Sequence, residues 1–522
     1  MKTGRILLAS LCSAASLTTV GGAMAADLPI KAKAVEYVRV CSLYGAGFFY
    51  IPGTDTCIKL GGYLRVDTTF NGGPQGQPAW NGDLGARDRY ADDFATRARM
   101  AFNIDTRTQT EYGLVRTFGQ ADIQFSTLGG STFNPNNLNT NLGNNPQLLD
   151  SVGGGYVSVE YVFIQFAGFT FGKSASAYAS PWQGFPGNNS SFLMGGQNTD
   201  TGVNNIQYTA QFGNGVSASI GLDDPVVWDR TSLYNLSQPG ATAGSSGMSA
   251  VGTLGNAYGG VGSPDIVGNV RIDQAWGLFQ FSAAAHEVNG SYNLLGASAA
   301  PVVGSETSGH PESKWGGSVM AALNIKNIPT GAGDDIKIDA SYAKGDTKNV
   351  IATSSTSPSF AMFGGSSRGY QSIGFGATTD GVYSSTHGIE LTDAFGVRGA
   401  FNHNWDPYWS TSLYGSASFV RYDGAAKAAY CSSYMTSNKL SAANTSTDFS
   451  CNPNFNVYQV GVVTRWTPVK NLTFSAEVQY FRLDQDFSGT ATLTPAAPKP
   501  AAVYEFRDQD TVLLQARVQR NF

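Results

Sequence analysis

Arginine recurs at alternate positions in the segment FATRARMAFNIDTR, residues 94 to 107. An extended chain points successive side chains to opposite faces, so this spacing predicts a strand with one polar and one apolar face. The polar face carries Arg97, Arg99, Asn103, Asp105 and Arg107, and the apolar face carries Ala98, Met100, Phe102 and Ile104. Guanidinium groups arranged in this way attract anions and repel cations, which is the chemistry that this segment could perform.

A second segment, CIKLGGYLRVDTTF, divides in the same way. Its polar positions are Lys59, Tyr63, Arg65 and Asp67, and its apolar positions are Ile58, Leu60, Leu64 and Val66. If the two strands are neighbours in a sheet, they form one basic wall that contains the acids Asp67 and Asp105. Two interpretations stay open: ordinary solvation of a polar face, or a field that orients and filters ions.

Catalytic and cofactor chemistry are only weakly indicated. The four histidines lie at positions 286, 310, 387 and 403, and none belongs to a motif that places a nucleophilic serine or cysteine. No glycine fingerprint for phosphate binding occurs between a predicted strand and a helix. The net charge of −5, without a basic tract, argues against a nucleic-acid partner. We therefore predict no catalytic residue and no cofactor.

The N-terminus has the features of an export signal. Lys2 and Arg5 precede the apolar stretch ILLASLCSAASLTTV, and the small residues AMA precede Ala26. We predict that residues 1–25 are a signal peptide and that residues 26–56 form an N-terminal segment in the periplasm or in a lumen. No later run reaches the roughly 18 apolar residues that a membrane helix needs.

The cysteines agree with export to an oxidising compartment. Cys12 leaves with the signal, and the remaining four are Cys41, Cys57, Cys431 and Cys451. Four cysteines allow three pairings. We favour Cys41 with Cys57 and Cys431 with Cys451, because each of these pairs closes a short loop. A metal site is a weaker alternative, since neither pair has zinc-like spacing or a nearby histidine.

The composition and the turns indicate an all-β chain. Only 14% of the residues are charged, against about 25% in ordinary soluble domains. Sixteen strands are predicted, near residues 57 to 69, 94 to 107, 111 to 126, 155 to 166, 169 to 173, 204 to 213, 215 to 223, 266 to 274, 278 to 289, 314 to 326, 335 to 345, 389 to 402, 409 to 422, 455 to 466, 471 to 484 and 504 to 522. Short and long connections alternate between them. An even number of strands connected in this way is typical of bacterial outer-membrane barrels.

Closure of the sheet explains the ending LLQARVQRNF. Lipid offers the backbone no hydrogen-bond partner, so a spanning sheet must pair its last strand with its first, here the strand that begins near Cys57. Phe522 would then lie in the periplasmic aromatic girdle. The polar faces hold mostly Ser, Thr, Gln, Asn and Gly, which suits water. We predict that residues 57–522 form an all-β, transmembrane, antiparallel 16-stranded β-barrel with short periplasmic turns, long extracellular loops and an aqueous lumen.

Four stretches carry a resemblance to a known family: ADLPIKAKAVEYVRVCSLYGAGFFYIPGTDTCIKLGGYLRVD, FIQFAGFTFGKS, RIDQAWG and the ending VQRNF. With them the chain resembles the alphaproteobacterial porin family from its signal to its last residue. The resemblance implies a homotrimeric general-diffusion porin of the outer membrane, whose third long loop folds into the barrel and narrows it. It also implies contact with outer-membrane lipid and lipopolysaccharide, and recognition of Phe522 by the barrel assembly machinery. Arg520 departs from the family's frequent aromatic or aliphatic residue.

The third long loop of this count spans residues 174 to 203. Its one acid is Asp200, and its aromatic residues are Tyr178, Trp182, Phe185 and Phe192. From the resemblance we expect these rings to pack the loop against the inner wall, facing the basic strands; an exposed loop with scattered aromatic residues is the alternative. The cations Lys59, Arg65, Arg97, Arg99 and Arg107 then outnumber Asp67, Asp105 and Asp200 at the constriction. This balance predicts a weak preference for anions.

The function predicted from these features is passive diffusion of small hydrophilic solutes and ions through a water-filled outer-membrane channel. A channel specific for sugars or for anions is the nearest alternative. A barrel adhesin or receptor is a further alternative, because loops such as 225 to 264 and 424 to 453 are long enough to bind partners. An outer-membrane hydrolase is the weakest of the four interpretations.

Overall fold

The computed structural model describes residues 39–89, 91–127, 154–198, 201–226, 229–237, 248–253, 255–296, 299–352 and 358–522. The predicted signal peptide, residues 1–25, lies outside this part of the chain, and so does the predicted site residue Asp200.

Within the described residues, sixteen strands form one closed antiparallel sheet. They are β1 (Cys57–Phe70), β2 (Phe94–Thr110), β3 (Gly113–Ser126), β4 (Gly154–Phe166), β5 (Phe169–Ser174), β6 (Val203–Gly213), β7 (Val216–Asp223), β8 (Asp265–Gln274), β9 (Gly277–Val288), β10 (Lys314–Lys326), β11 (Asp335–Lys344), β12 (Asp393–Asn404), β13 (Trp409–Arg421), β14 (Phe455–Val469), β15 (Leu472–Gln485) and β16 (Gln509–Asn521). β16 pairs with β1, with Val518 opposite Val66. The predicted strand number and closure are confirmed.

The outer face of the barrel is apolar. Leu60, Leu64 and Val66 of β1 are more than half exposed, whereas the alternate residues Asp67 and Thr69 are buried. Such a continuous exposed apolar band is rare on proteins that are surrounded by water, and it suits a hydrocarbon environment. Aromatic side chains gather on this face near the short turns; among the exposed ones are Trp276, Trp405, Tyr408, Trp409, Trp466 and Phe522. They form a girdle of the kind found at membrane interfaces.

The shortest turns depend on residues with a left-handed backbone. Between β4 and β5 the chain reverses at Ala167 and Gly168, whose φ angles are 50° and 86°. Two consecutive positive φ angles are the requirement of the two-residue hairpin turn that matches strand twist. The turn predicted at these two residues is therefore confirmed, and with it the even strand number. None of the described helices is long and apolar enough to cross a membrane.

Two predicted strands are divided in the structure. The segment predicted as 389 to 402 splits into His387–Leu391, which pairs with a loop strand, and β12, which begins at Asp393. The segment predicted as 504 to 522 splits into Ala502–Phe506 and β16. The pieces on both sides of each break are strands, although polar residues interrupt the alternation at Thr392 and Asp393 and from Arg507 to Thr511. The pattern therefore identified extended chain correctly but could not reveal the change of pairing partner.

The long loops contain secondary structure that the sequence did not reveal. One loop sheet joins Leu233–Asn235, Gly381–Ser384 and His387–Leu391, and another joins Phe360–Gly364, Gln371–Gly376, Thr490–Leu493 and Ala502–Phe506. Among the described residues, the α-helices are α1 (Gly82–Ala86) and α2 (Gly424–Ser437). Short 3-10 helices lie at Ser42–Tyr44, Glu306–Ser308 and Thr347–Asn349. The two-residue strand Phe49–Tyr50 pairs with the start of β1. Both loop sheets include a parallel pairing between segments that are distant in sequence.

An apolar core fills part of the barrel at its long-loop end. Phe455 of β14 and Phe481 of β15 lie 5.7 Å and 5.6 Å, between ring centroids, from Phe360 of a loop sheet. Trp80 lies 4.9 Å from Phe481, and all four rings are fully buried. The lumen is consequently narrowed from the side of β14 and β15.

Both predicted disulfides are present. Cys41 is bonded to Cys57 at the start of β1, and Cys431 in α2 is bonded to Cys451 before β14. The pairing of neighbours in sequence is confirmed, and it occupies all four cysteines that the metal alternative would need.

Candidate functional site

The strands β16, β1 and β2 place three charged side chains side by side in the lumen. Asp67 lies opposite Arg97 on one neighbouring strand and opposite Arg517 on the other. Its carboxylate accepts hydrogen bonds from Arg97 Nε at 2.8 Å and from Arg517 Nε at 2.6 Å. Asp67 is fully buried and Arg97 nearly so. The carboxylate of Asp67 therefore pairs with two guanidinium groups, so this row of three side chains has a net positive charge.

Arg99 begins a second row, nearer the short turns. Its NH1 atom lies 2.5 Å from Asp122 Oδ2 on β3 and 3.8 Å from Glu160 Oε1 on β4. Its Nε donates to Gln124 Oε1 at 2.8 Å. A bulge in β4, where the register shifts opposite Gln120, lets Glu160 and its neighbour in sequence both line the lumen. This row therefore carries more negative charge than the first.

Arg65 lies between Gln519 and Arg99 in the sheet register. Its Nε donates to Gln519 Oε1 at 2.8 Å, and its guanidinium carbon lies 4.3 Å from the centre of the Tyr63 ring. Neither of these contacts, which the described residues provide, involves a carboxylate. The charge of Arg65 is therefore directed into the lumen, where a dissolved anion can approach it.

A third group of charges lies at the short-turn mouth. Asp105 forms ion pairs of 3.0 Å with both Arg107 and Arg116. Phe48, which the Cys41–Cys57 disulfide holds near β1, lies with its ring centre 4.8 Å from the Arg107 guanidinium and 5.9 Å from Lys59 Nζ. The N-terminal segment thus lies against the inner wall at this mouth.

The structure divides the predicted basic wall into these three groups, and most of its arginines are paired with carboxylates. Of the predicted residues, Asp67 and Arg97 lie in the first group, Arg65 and Arg99 in the second, and Lys59, Asp105 and Arg107 in the third. Sequence reasoning missed the roles of Arg116, Asp122, Glu160 and Arg517. Alternation along β3 could have identified Arg116 and Asp122, which share one face with Gln120. The bulge at Glu160 breaks that alternation, so no pattern revealed it.

The third long loop, residues 175–202 and hereafter L3, starts between β5 and β6 and crosses the lumen to strands that are distant from both in the sheet. Glu477 of β15 accepts hydrogen bonds from the backbone N–H groups of Asn189 and Ser190 at 3.1 Å and 3.0 Å. Its Oε1 also accepts from Tyr414 Oη at 2.5 Å. The inward folding of L3 is therefore confirmed by contacts with strands on the far side.

A buried ion pair holds another part of L3. Arg398 of β12 and Asp339 of β11 are each 1% exposed, and Arg398 Nε lies 3.0 Å from Asp339 Oδ1. The same guanidinium donates to the carbonyl oxygens of Gly196 at 3.2 Å and Gln197 at 2.6 Å. Asp339 also accepts a 2.5 Å hydrogen bond from Trp182 Nε1. This pair connects two distant parts of L3 to one place on the wall.

The aromatic residues of L3 divide into two groups. Tyr178 is buried against Val267 and Met320, and Phe192 packs against Trp80 with ring centroids 5.9 Å apart. Trp182 packs partly against the Tyr178 cluster. The expected packing therefore holds for these three. Phe185 differs, because it lines the open space between L3 and the arginines.

That space between L3 and the arginines is called the aperture below. It is a cavity of about 280 Å³. Its lining consists of Tyr63, Arg65, Arg99, Gln120, Asp122, Glu160, Tyr161, Gln183, Phe185 and Arg517. Three arginines face two carboxylates here, so the aperture presents amide groups and a small excess of positive charge. The lining is therefore polar, with charged groups of both signs.

Comparison with known proteins identifies related sequences. A family model described as the Porin subfamily matches residues 27–515 of this chain. Porin Omp2b of Brucella suis biovar 1 (strain 1330) is 30% identical to it over 271 residues, which cover 51% of this chain and 62% of that protein. Porin Omp2b of Brucella abortus (strain 2308) matches to the same extent. The chain thus spans less than two thirds of the length of these relatives.

Among solved structures, the outer membrane channel DcaP of Acinetobacter baumannii has a similar fold. The two structures superpose with a TM-score of 0.54, covering 91% of this chain and 99% of that one. Their sequence identity is 13%, so this likeness concerns the fold alone.

Proposed function

Because the chain belongs to the Porin subfamily, we propose that it forms a water-filled channel for passive diffusion of small hydrophilic solutes and ions across the bacterial outer membrane. The observation that carries this proposal is the aperture, which lies between L3 and the charged wall and is lined by polar side chains. It lies inside a barrel whose outer face is apolar. A polar interior and a lipid-facing exterior are the two properties that a diffusion channel requires.

The proposal is tested by ion conductance. Purified protein added to a planar lipid bilayer should produce discrete steps of current, and liposomes that contain it should admit several unrelated small solutes. Absence of current steps from correctly folded protein would contradict a channel. Cleavage of lipid or peptide by the same preparation would support a hydrolase instead.

A channel specific for anions is the second candidate, and the charge of Arg65 favours it. Its described partners are an amide and an aromatic ring, so an incoming carboxylate or phosphate does not have to displace an internal one. The liposome experiment separates the two candidates, because a specific channel would admit one class of solute only.

We also propose that the mature protein lies in the outer membrane after removal of residues 1–25, with residues 26–56 at the periplasmic mouth. Outer-membrane lipid and lipopolysaccharide would then surround the apolar band. The short turns would face the periplasm, as in other barrels of this kind. The two disulfides agree with export to an oxidising compartment.

Phe522 is proposed to be the residue by which the barrel assembly machinery recognises the chain. Its ring is 59% exposed, and its backbone N–H donates to the carbonyl oxygen of Gly62 at 3.1 Å. A C-terminal ring that is exposed at the seam between β16 and β1 is available to a partner during closure. We expect Phe522→Ser to reduce the amount of folded barrel in outer membranes severalfold, measured by heat-modifiable electrophoretic mobility. The matched change Asn521→Ser, at the adjacent residue, should leave that amount unchanged; equal losses in both variants would contradict the proposal.

A homotrimer is proposed because the barrel wall is short on one side, at β5; this part of the outer face is called the low wall below. β5 has six residues, whereas a strand that crosses the hydrocarbon layer needs about 9–11. Its outward positions are Phe169, Phe171 and Lys173, so a cation follows after only two apolar positions. A second copy of the chain would shield this low wall from lipid, and cyclic symmetry allows the same contact in every subunit.

Substitution on the low wall tests the trimer. We expect Phe171→Arg to convert trimers into monomers, measured by the molar mass of the detergent-solubilised protein. Phe395 on β12 provides a matched control, because its ring also faces outward but lies on a distant strand of the barrel. Its side chain is 46% exposed, compared with 43% for Phe171. Phe395→Arg should therefore leave the molar mass of the assembly unchanged. A monomeric wild type, or equal dissociation in both variants, would contradict the proposed interface.

A further inference from the structure

We propose that Tyr161 and Gln183 form a bridge across the lumen that divides it into a passage beside the arginines and a recess lined mainly by uncharged side chains, and that this bridge determines which solutes pass. The inference rests on the proposed channel function. It concerns two residues that become neighbours only through the fold, because one belongs to β4 and the other to L3.

The bridge is one hydrogen bond between the wall and the loop. Tyr161 Oη donates to Gln183 Oε1 at 2.9 Å. Tyr161 points inward from the bulged part of β4, and its ring lies 6.4 Å from that of Phe118 on the neighbouring strand. The side chain therefore spans the gap between the barrel wall and L3 and closes one flank of the aperture.

The position of Gln183 is fixed by an unusual backbone. Its φ angle is 47°, in the left-handed region that residues other than glycine and asparagine seldom adopt. The next residue, Gly184, has a φ of 90°, and a Cβ atom there would lie 2.4 Å from the Asn198 side chain. Such strain persists only where the surrounding structure enforces it, and it often marks a functional position. Here it aims the Gln183 amide at Tyr161.

The cavities on the two sides of the bridge differ in chemistry. The aperture holds Arg65, Arg99 and Arg517. The recess, of about 470 Å³, is lined mainly by uncharged side chains, among them Gln207, Thr209, Ser217, Ser219, Asn269 and Gln280. Its charged residues Arg271 and Asp273 pair with each other at 2.9 Å, and Asp273 also pairs with Lys326 at 2.9 Å. Gln183 lines both cavities.

This division confines permeating solutes to the arginine side. Amide and hydroxyl groups exchange hydrogen bonds with neutral polyhydroxylated solutes as readily as with ions, and they supply no net charge to select between ions. An open connection to the recess would therefore dilute the field of the arginines and would widen the path for neutral solutes. The bridge therefore keeps the passage narrow, so that the charges of the arginines determine which solutes pass.

Three variants test the bridge: Tyr161→Phe, Gln183→Ala and the two together. Each removes the hydrogen bond and leaves all charges in place. The matched control is Tyr342→Phe, which removes a tyrosine hydroxyl and its hydrogen bond to Asp393 on the outer face of the barrel, away from the aperture. The measurements are single-channel conductance, reversal potential in a potassium chloride gradient and glucose uptake into liposomes.

We expect each single variant to raise conductance roughly twofold, because the cross-section open to ions then includes the recess. The anion preference should decrease and glucose uptake should accelerate, whereas Tyr342→Phe should change none of the three. The double variant should equal the larger single variant, because two changes that remove one bond are not additive. Wild-type values in both single variants, or additive effects in the double variant, would overturn the bridge while leaving the channel intact. A wild-type protein without conductance would overturn the channel function itself.

Discussion

Replacing Arg398 by alanine is expected to widen the channel and to destabilise the barrel at the same time. The guanidinium holds Asp339 on the neighbouring strand and two carbonyl oxygens of L3. Its loss leaves Asp339 buried and without its cation, with Trp182 Nε1 as a remaining donor. Removing one partner of a buried ion pair costs about 3–5 kcal/mol. We therefore expect a lower unfolding temperature together with larger and noisier current steps.

The two effects of this substitution can be separated. The double variant Arg398→Met, Asp339→Leu removes both charges, and replacing a buried pair by apolar residues is often neutral or stabilising. It should therefore recover most of the lost thermal stability. L3 would still lack its hydrogen bonds to the guanidinium, so conductance should stay high. The unfolding temperature is measured by heat-modifiable mobility and the conductance in planar bilayers.

An exposed ion pair provides the matched control. Arg368 and Asp448 are joined at 2.9 Å between two long loops, and their side chains are 43% and 55% exposed. A surface pair of this kind contributes about 0–1 kcal/mol, so Arg368→Ala should change neither property appreciably. Normal conductance in the Arg398 variants would mean that L3 is held by its other contacts alone, of which Glu477 is the strongest candidate.

The barrel could be predicted because its determinants are local. Alternation of polar and apolar residues along each strand indicates which face contacts lipid, and a turn such as Ala167–Gly168 indicates where the chain reverses. Both signals lie within a few residues of one another. Closure then followed from the requirement that no backbone group remain unpaired in hydrocarbon.

The charge balance of the lumen could not be predicted, because its determinants are not local. The sequence predicted Arg97 to be one of several cations on a basic wall, and only the strand register shows that Asp67 pairs with it. Glu160 enters the lumen through a bulge, which reverses the alternation that sequence reasoning relies on. Arg398 and Glu477 are single charges on the inward faces of their strands, and only the path of L3 shows that they hold the loop. Side chains that act across the barrel thus carry no signal in their own segment.

The same pairing changes what is expected when the arginines of β2 are removed. In the double variant Arg97→Ser, Arg99→Ser, Asp122 and Glu160 lose the guanidinium beside them, and Asp67 keeps Arg517 alone. Among the residues that line the aperture, three arginines against two carboxylates become two against two, and Asp67 beside them brings the local count to three carboxylates against two arginines. We expect the unmutated channel to prefer anions weakly and the double variant to prefer cations.

Reversal potentials across a potassium chloride gradient decide this prediction. The preference of the unmutated channel should be clear at 0.1 M salt and should fade at 1 M, because the Debye length falls from about 10 Å to about 3 Å. The variant Arg97→Lys, Arg99→Lys keeps both charges and is the matched control, so it should retain the anion preference although it loses the planar fork of arginine. Arg65→Gln should give a smaller shift toward cations than the serine variant does, because it removes one positive charge without stranding a carboxylate. A cation preference in the unmutated channel, or an unchanged reversal potential in the serine variant, would mean that permeating ions do not pass beside Arg65 and Arg99.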